Sequence, residues 1–437
     1  MNRVEVEMSK SSAATDKIMG QDTLQAEASS SARPLELDEY VRYGRQMIMP
    51  GFGLPGQVEL KNAKVAVVGA GGLGCPVLQY LAGAGVGTIA IVDHDTVSLS
   101  NLHRQILHTT DRVDMNKAES ACIALKALNP RINVVPHPMA ITPSTALSTL
   151  APYSILVDCT DRPLTRYLLS DISVRLSIPL VSGAAISSAG QWAVYGGTIR
   201  SSGKRRACYR CIWPSVLPNS GGNGNCEEQG VWGVVTGLVG TGMAGEVIKL
   251  LVGKEDSEPL LHLHHLCSNP LIRTIRMKPP SAKCIACGPN ATITDDLDVF
   301  GYESFCAGGP VTNDQTGSVT GGEGERLIAK DLSEILDLKS ASSEDDFVLI
   351  DTRPSIEFGI CSVPGSTNIP LPEILKDPSS LPRATETIFI CRRGNDSQFA
   401  AEALRRVVAE ADKVRVRDVR GGLLAWNREV DHDFPIY

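Results

Sequence analysis

The stretch KVAVVGAGGLGCPVLQYLAGAGVGTIAIVDHD, Lys64 to Asp95, decides the fold. A short apolar run leads into glycines, then a helical run, then a second apolar run that ends in acid, which is one strand–turn–helix–strand unit. Gly69, Gly71 and Gly74 fall in G-x-G-x-x-G spacing where the first strand hands over to the helix. There the backbone can approach a phosphate and the helix N-terminus faces it. Asp93 closes the second strand about 20 residues on, where a carboxylate bonds ribose hydroxyls. Taken alone, the unit suits NAD as well as ATP.

Working outward, apolar runs at Ile132 to Pro136, SILVDCTD (Ser154–Asp161) and IPLVSGAA (Ile178–Ala185) alternate with helical stretches. They extend the mostly parallel sheet of an α/β domain through about Gly183. Val231 to Gly245 is the longest uncharged, largely apolar run, shorter than the ~20 residues a membrane span needs, and reads as a buried glycine-rich helix. From Gly288 to Glu325 the chain is rich in Gly, Asp, Thr and Ser, the composition of a linker. FVLIDTRP, STNIPL and TIFICRRG then alternate with helical segments at Asp331–Leu338 and Ser397–Ala409, so a smaller α/β domain follows. The expected partition is a tail at 1–35, a nucleotide-binding domain at 36–288, a linker at 289–325 and a second domain at 326–437.

Composition narrows the partners. With 437 residues and 43% apolar content the chain can bury two or three cores. A net charge of -7 gives no bulk attraction to a nucleic-acid backbone. The first thirty or so residues carry acids and no hydrophobic segment, which argues against an export or transit signal. Twelve cysteines, several in C-x-x-C pairs, point to thiolate and metal chemistry in a reducing compartment, the cytosol, rather than to disulfides.

Cys208-Tyr-Arg-Cys211 and Cys284-Ile-Ala-Cys287 form two knuckles, the spacing of one closed tetrahedral zinc site. Cys226 lies in the glycine-rich run NSGGNGNCEEQG without such a partner and reads as a reactive thiol. Cys75, Cys122, Cys159 and Cys267 are expected to pack. Cys391 opens CRRGNDSQ, where two arginines and the start of a helix would stabilise an anionic sulfur.

A triphosphate attacked at its α-phosphorus needs several cations and a metal-binding carboxylate, whereas hydride transfer does not. Ser100, Asn101 and Arg104, then Lys117, supply such groups. YGRQMIMPGFG, VVGAGGLGCP, VDHDTVSLSNLHRQ, NKAES and VDCTDR, taken in order over Tyr40 to Gly288, resemble the MoeB/ThiF-type branch of the ubiquitin-activating enzyme superfamily. The resemblance implies a Rossmann-like adenylation domain with Arg45 reaching phosphate, including across a dimer interface. It implies Gly72 at the phosphates, Asp93 on ribose, and the run Ser100, Asn101, Leu102, His103 and Arg104 with Lys117 around the triphosphate. Asp161 would hold Mg2+, structural Zn2+ would sit at the four cysteines, and Cys226 would be the catalytic thiol. At Arg162 the sequence departs from the family, which commonly has Asn there.

The sequence from Arg326 to Tyr437, with Asp351, Arg353 and Cys391 at strand ends and RDVRGGLLAWNREVDHDFPIY at its close, resembles the rhodanese sulfurtransferases. An activating domain followed by rhodanese resembles the enzymes that thiocarboxylate ubiquitin-like sulfur carriers. That resemblance implies Urm1-type carriers for tRNA wobble-uridine thiolation and the small subunit of molybdopterin synthase for molybdenum cofactor. It also implies ATP, a persulfide sulfur donor and a homodimer, without direct nucleic-acid or membrane contact. Cys226 would either cleave an acyl disulfide or first take the acyl group as a thioester.

Overall fold

The computed structural model describes residues 33–215, 230–293, 297–302, 305, 325–341, 347–382, 384–408 and 414–437. Two sheets organise them. The first has eight strands: β1 Lys64–Val68, β2 Thr88–Val92, β3 Asn133–His137, β4 Ile155–Asp158, β5 Pro179–Ile186, β6 Ala189–Gly196, β7 Leu260–His265 and β8 Ile272–Arg276, in the order β3-β2-β1-β4-β5-β6-β7-β8. Strands β3 through β5 are parallel, and β5 through β8 are antiparallel. The sheet therefore runs on past Gly183. The antiparallel strands alternate less cleanly than the buried parallel ones, and β8 is exposed along its whole length, so its apolar signal is weak.

Four of the five residues of β1 are buried, flanked by β2 and β4. The chain leaves β1 for β2 and β3 on one side and returns to β4 on the other. A ligand crevice opens where the strand order reverses, beyond the carboxyl ends of β1 and β4. The helix Gly74–Ala84 buries Val77, Leu78 and Leu81 on this sheet, and truncating one such leucine costs about 2–5 kcal/mol.

The helix Gly233–Leu251 is long and apolar enough to cross a bilayer by length and composition alone. Val235, Val239, Met243 and Val247 are instead fully buried in the core beneath β5 and β6.

The second sheet consists of β9 Arg326–Leu327, β10 Phe347–Asp351, β11 Ser366–Asn368, β12 Glu386–Ile390 and β13 Arg415–Val419, all parallel, in the order β11-β10-β12-β13-β9. Its faces carry separate cores, one around Leu349, Ile388 and Trp426, the other around Phe389, Ala401 and Leu404.

Two expectations change. Part of the segment read as linker belongs to the first domain: Ile293, Leu297 and Tyr302 are buried in its core, and Phe300 and Phe305 pack against it. Aromatic side chains spaced along a Gly/Asp-rich run give no periodic pattern, so sequence reading passes over them. Cys267 is exposed in the turn between β7 and β8 and packs nowhere. Residues 1–32, Cys226 and Cys306 lie outside the described residues.

Candidate active sites

The crevice at the switch point is a cleft of about 450 Å³ lined by Gly69, Gly71, Gly72, Asp93, Asn101, Arg104, Lys117, Asp161 and Arg162 among others. Gly69 has φ +97, and a Cβ there would lie 2.7 Å from the Cys159 carbonyl oxygen, so only glycine makes this turn. Asp93 braces the turn. One carboxylate oxygen accepts from Ala70 N–H at 2.7 Å and the other from Asp95 N–H at 2.9 Å. Asp95 in turn holds the Lys117 ammonium at 2.9 Å. Burial works to raise the Asp95 carboxyl, and Lys117 overrides it, leaving the group below its ordinary value.

The structure brings Gly72, Asp93, Asn101, Arg104, Lys117, Asp161 and Arg162 to one cleft. Ser100 and His103 are exposed beside it, with the His103 ring against the Ser100 carbonyl and Arg104. Leu102 is half-buried in the same turn. Arg45 is exposed on the helix Leu37–Met47 and does not line the cleft within this chain.

Three residues escaped sequence reading. Arg166 lines the cleft and donates to Asp158 at 3.0 Å and to the Thr160 and Gly183 carbonyls at 2.8 Å each. Burial opposes its charge, and the adjacent Asp158 carboxylate prevails and raises its pKa. Its signal was a second arginine soon after Arg162, in the first turn of the helix Pro163–Leu176.

Gln105 lines the cleft while 4% exposed, and its buried Oε1 accepts no hydrogen bond. His108 supports the glycine turn from below, its Nε2 2.8 Å from the Ala70 carbonyl oxygen and its Nδ1 2.9 Å from Ser120 Oγ. A carbonyl only accepts, so Nε2 carries the proton. Gln105 closes the motif VDHDTVSLSNLHRQ with no role of its own assigned there, and nothing in the sequence marks His108.

The four knuckle cysteines converge, with Sγ–Sγ distances of 3.7 Å for Cys208–Cys211, 3.5 Å for Cys208–Cys284 and 3.3 Å for Cys211–Cys287. A tetrahedral zinc with ~2.3 Å bonds spaces its sulfurs by about 3.8 Å, so the cage fits that ion after a small expansion. Ser281 N–H donates to Cys211 Sγ at 3.3 Å, an outer contact of the kind that orients a ligand.

Arg210, inside the first knuckle, pairs with buried Asp171 at 2.9 Å and lies over the rings of Phe300 and Phe305, 4.6 and 4.5 Å from their centroids. Tyr302 donates to the same Asp171 at 2.8 Å. The knuckle thus grips the segment that follows the second one.

In the second sheet, Cys391 follows β12 and is 2% exposed. Its sulfur accepts from Gly394 N–H at 3.1 Å, with Ser397 Oγ at 3.6 Å. Arg326 braces the loop, donating 2.8 Å to the Gly394 carbonyl while pairing with Asp418. Asp351 and Arg353 form a buried bidentate pair and are engaged with each other.

A ThiF family model matches residues 43–286, and a Rhodanese-like domain model matches residues 334–429. Adenylyltransferase and sulfurtransferase uba4 of Ogataea parapolymorpha is 41% identical over 417 residues, covering 92% of this chain and 100% of that protein. Adenylyltransferase and sulfurtransferase MOCS3 of Drosophila sechellia is 40% identical over 445 residues, covering 100% of this chain and 93% of that one. The chain belongs to the adenylyltransferase and sulfurtransferase family.

Membership in that family separates the two readings of the glycine turn: an adenylyltransferase takes ATP there, not a nicotinamide cofactor. Among solved structures, E. coli MccB superposes with a TM-score of 0.46 at 25% identity, over 54% of this chain and 69% of that one. The adenylyltransferase and sulfurtransferase activities correspond to the two matched regions, with the cleft in the first and the Cys391 loop in the second.

Proposed function

We propose that the protein adenylates the C-terminal glycine of a ubiquitin-like sulfur carrier and converts it to a thiocarboxylate with sulfur held on Cys391. The observation that carries this reading is an apolar groove of about 680 Å³ that shares Ala184 and Ala185 with the nucleotide cleft. Such a groove suits an extended, uncharged peptide tail ending at the phosphates.

The carrier carboxylate oxygen attacks the α-phosphorus and the bond to pyrophosphate breaks. Lys117, Arg104 and Asn101 line the phosphate path, Asp93 sets the glycine turn and meets ribose, and Arg162 adds charge at the cleft mouth. Mg2+ would be held by Asp161 and would neutralise phosphate charge. Arg45 would complete the site from the partner of a homodimer. Zn2+ at the four cysteines would fasten the knuckles without entering the chemistry.

The terminal sulfur of a Cys391 persulfide then attacks the acyl carbon and AMP leaves with the bonding electrons. The acyl disulfide is cleaved by the Cys226 thiolate, which bonds to the Cys391 sulfur and releases the thiocarboxylate. Two equivalents of a cellular thiol then reduce the Cys226–Cys391 disulfide and leave as their own disulfide. Ten free cysteines among the described residues support a reducing setting, the cytosol.

Carriers of the Urm1 type and the molybdopterin synthase small subunit are the proposed partners, serving tRNA wobble-uridine thiolation and molybdenum cofactor synthesis. ATP–pyrophosphate exchange that requires a carrier ending in Gly-Gly, and is lost when that tail is removed, is the expected result. Exchange indifferent to the tail would refute the reading.

A further inference from the structure

Arg392 follows Cys391 directly, and its Nε is buried without a hydrogen-bond partner. Its guanidinium instead lies over the ring of Tyr437, 4.6 Å from the centroid. That ring is itself fixed. The Tyr437 hydroxyl accepts from Arg353 at 2.6 Å and donates to Glu357 at 2.7 Å. Burial pushes the phenol well above its ordinary value, so it keeps the proton it donates. Arg353 is locked in turn by Asp351, at 2.9 and 2.6 Å, and by the Cys361 carbonyl at 2.7 Å. Asp351 ends β10 in register with Ile390, the residue before Cys391. The contacts close a circuit from the strand ends through Arg353 and Tyr437 to Arg392.

We propose that Tyr437 is a positioning residue for sulfur loading: its ring holds the guanidinium of Arg392, the residue next to Cys391 in the chain, so that an anionic sulfur donor is bound before transfer. The inference rests on the reading of Cys391 as the persulfide carrier. With thiosulfate as donor, the Cys391 thiolate attacks the outer sulfur, the sulfur–sulfur bond breaks and sulfite departs with its electron pair, so no external oxidant is needed. A ring face is a better seat than a carboxylate here. It holds the cation without neutralising the charge that the donor must meet.

The test uses the full-length protein and steady-state sulfur transfer from thiosulfate to cyanide. Tyr437→Leu keeps an apolar side chain but removes the π face. It should raise the thiosulfate KM about 2- to 30-fold, the span a cation–π contact supports, with kcat within about twofold. Tyr437→Phe, which keeps the ring but loses the two hydroxyl contacts that fix it, should give a KM between those of wild type and Tyr437→Leu. Arg392→Ala should raise KM as well, and adding Tyr437→Leu to it should have little further effect, because both changes break one interaction.

Carrier-dependent adenylation should be unchanged in every variant. An unchanged KM in Tyr437→Leu beside a raised KM in Arg392→Ala overturns the positioning role alone. No effect of Arg392→Ala removes its premise and overturns it too. Loss of all transfer in Cys391→Ser is the separate check on the underlying reading.

Discussion

The main-chain N–H of Gly394 donates to the sulfur of Cys391 at 3.1 Å. Gly394 has φ +79, and a Cβ there would stand 2.5 Å from the Gly421 nitrogen. An alanine must displace the loop and turn the N–H away. Gly394→Ala is expected to lower thiosulfate sulfurtransferase activity by at least about tenfold, since a preorganised N–H donor to an anion carries that much or more. ATP–pyrophosphate exchange should be unaffected; a parallel loss of both would place the damage elsewhere.

Lys117 is 5% exposed yet lines the cleft, held by Asp95 at 2.9 Å. A buried cation lining that cleft acts where water screens it little. Lys117→Ala should reduce carrier-dependent exchange on the order of 100-fold. Sulfur transfer from thiosulfate to cyanide by the same variant should match wild type.

How much of this was legible in sequence follows from where each signal sits. The unit Lys64–Asp95 is readable because its glycines, apolar runs and Asp93 lie within one short window. The four zinc-type cysteines are readable as two local pairs, although 76 positions separate Cys208 from Cys284. Gln105 and His108 are not, because their roles depend on the glycine turn folding over them. The docking of Tyr302 on Asp171 spans 131 positions and leaves no periodic trace. Arg353 is readable as a strand-end residue but not as the buried partner of Asp351, which a charge pattern cannot distinguish from a solvent-facing site.

The grip of Arg210 on Asp171, Phe300 and Phe305 ties the four-cysteine cage to the segment after it. Cys284→Ser should lower bound zinc and the melting temperature of the first domain. It should also speed amide hydrogen exchange across residues 297–302, although the substitution lies outside that segment. Unchanged exchange there would show that the cage and the segment are independent.

Burial lowers the His108 pKa below the ordinary 6.5, against the hydrogen bond to the Ala70 carbonyl, which works to raise it. The unfolded chain then binds the proton more readily than the folded one. Stability from this group is complete above pH 6.5 and is lost as pH falls through the folded value. Thermal melts should show the first domain less stable at about pH 5.5 than at about pH 7.5. His108→Gln, which keeps a donor to Ala70, should reduce that difference.

The central claim is that one chain activates a carrier carboxylate and supplies sulfur to it. Intact-mass spectrometry of a Gly-Gly-tailed carrier, incubated with the protein, ATP, Mg2+ and thiosulfate, tests it most directly. The expected product has one terminal oxygen replaced by sulfur, dependent on ATP and absent with Cys391→Ala. A carrier that stays a carboxylate, or one that gains sulfur equally well with Cys391→Ala, would contradict the account.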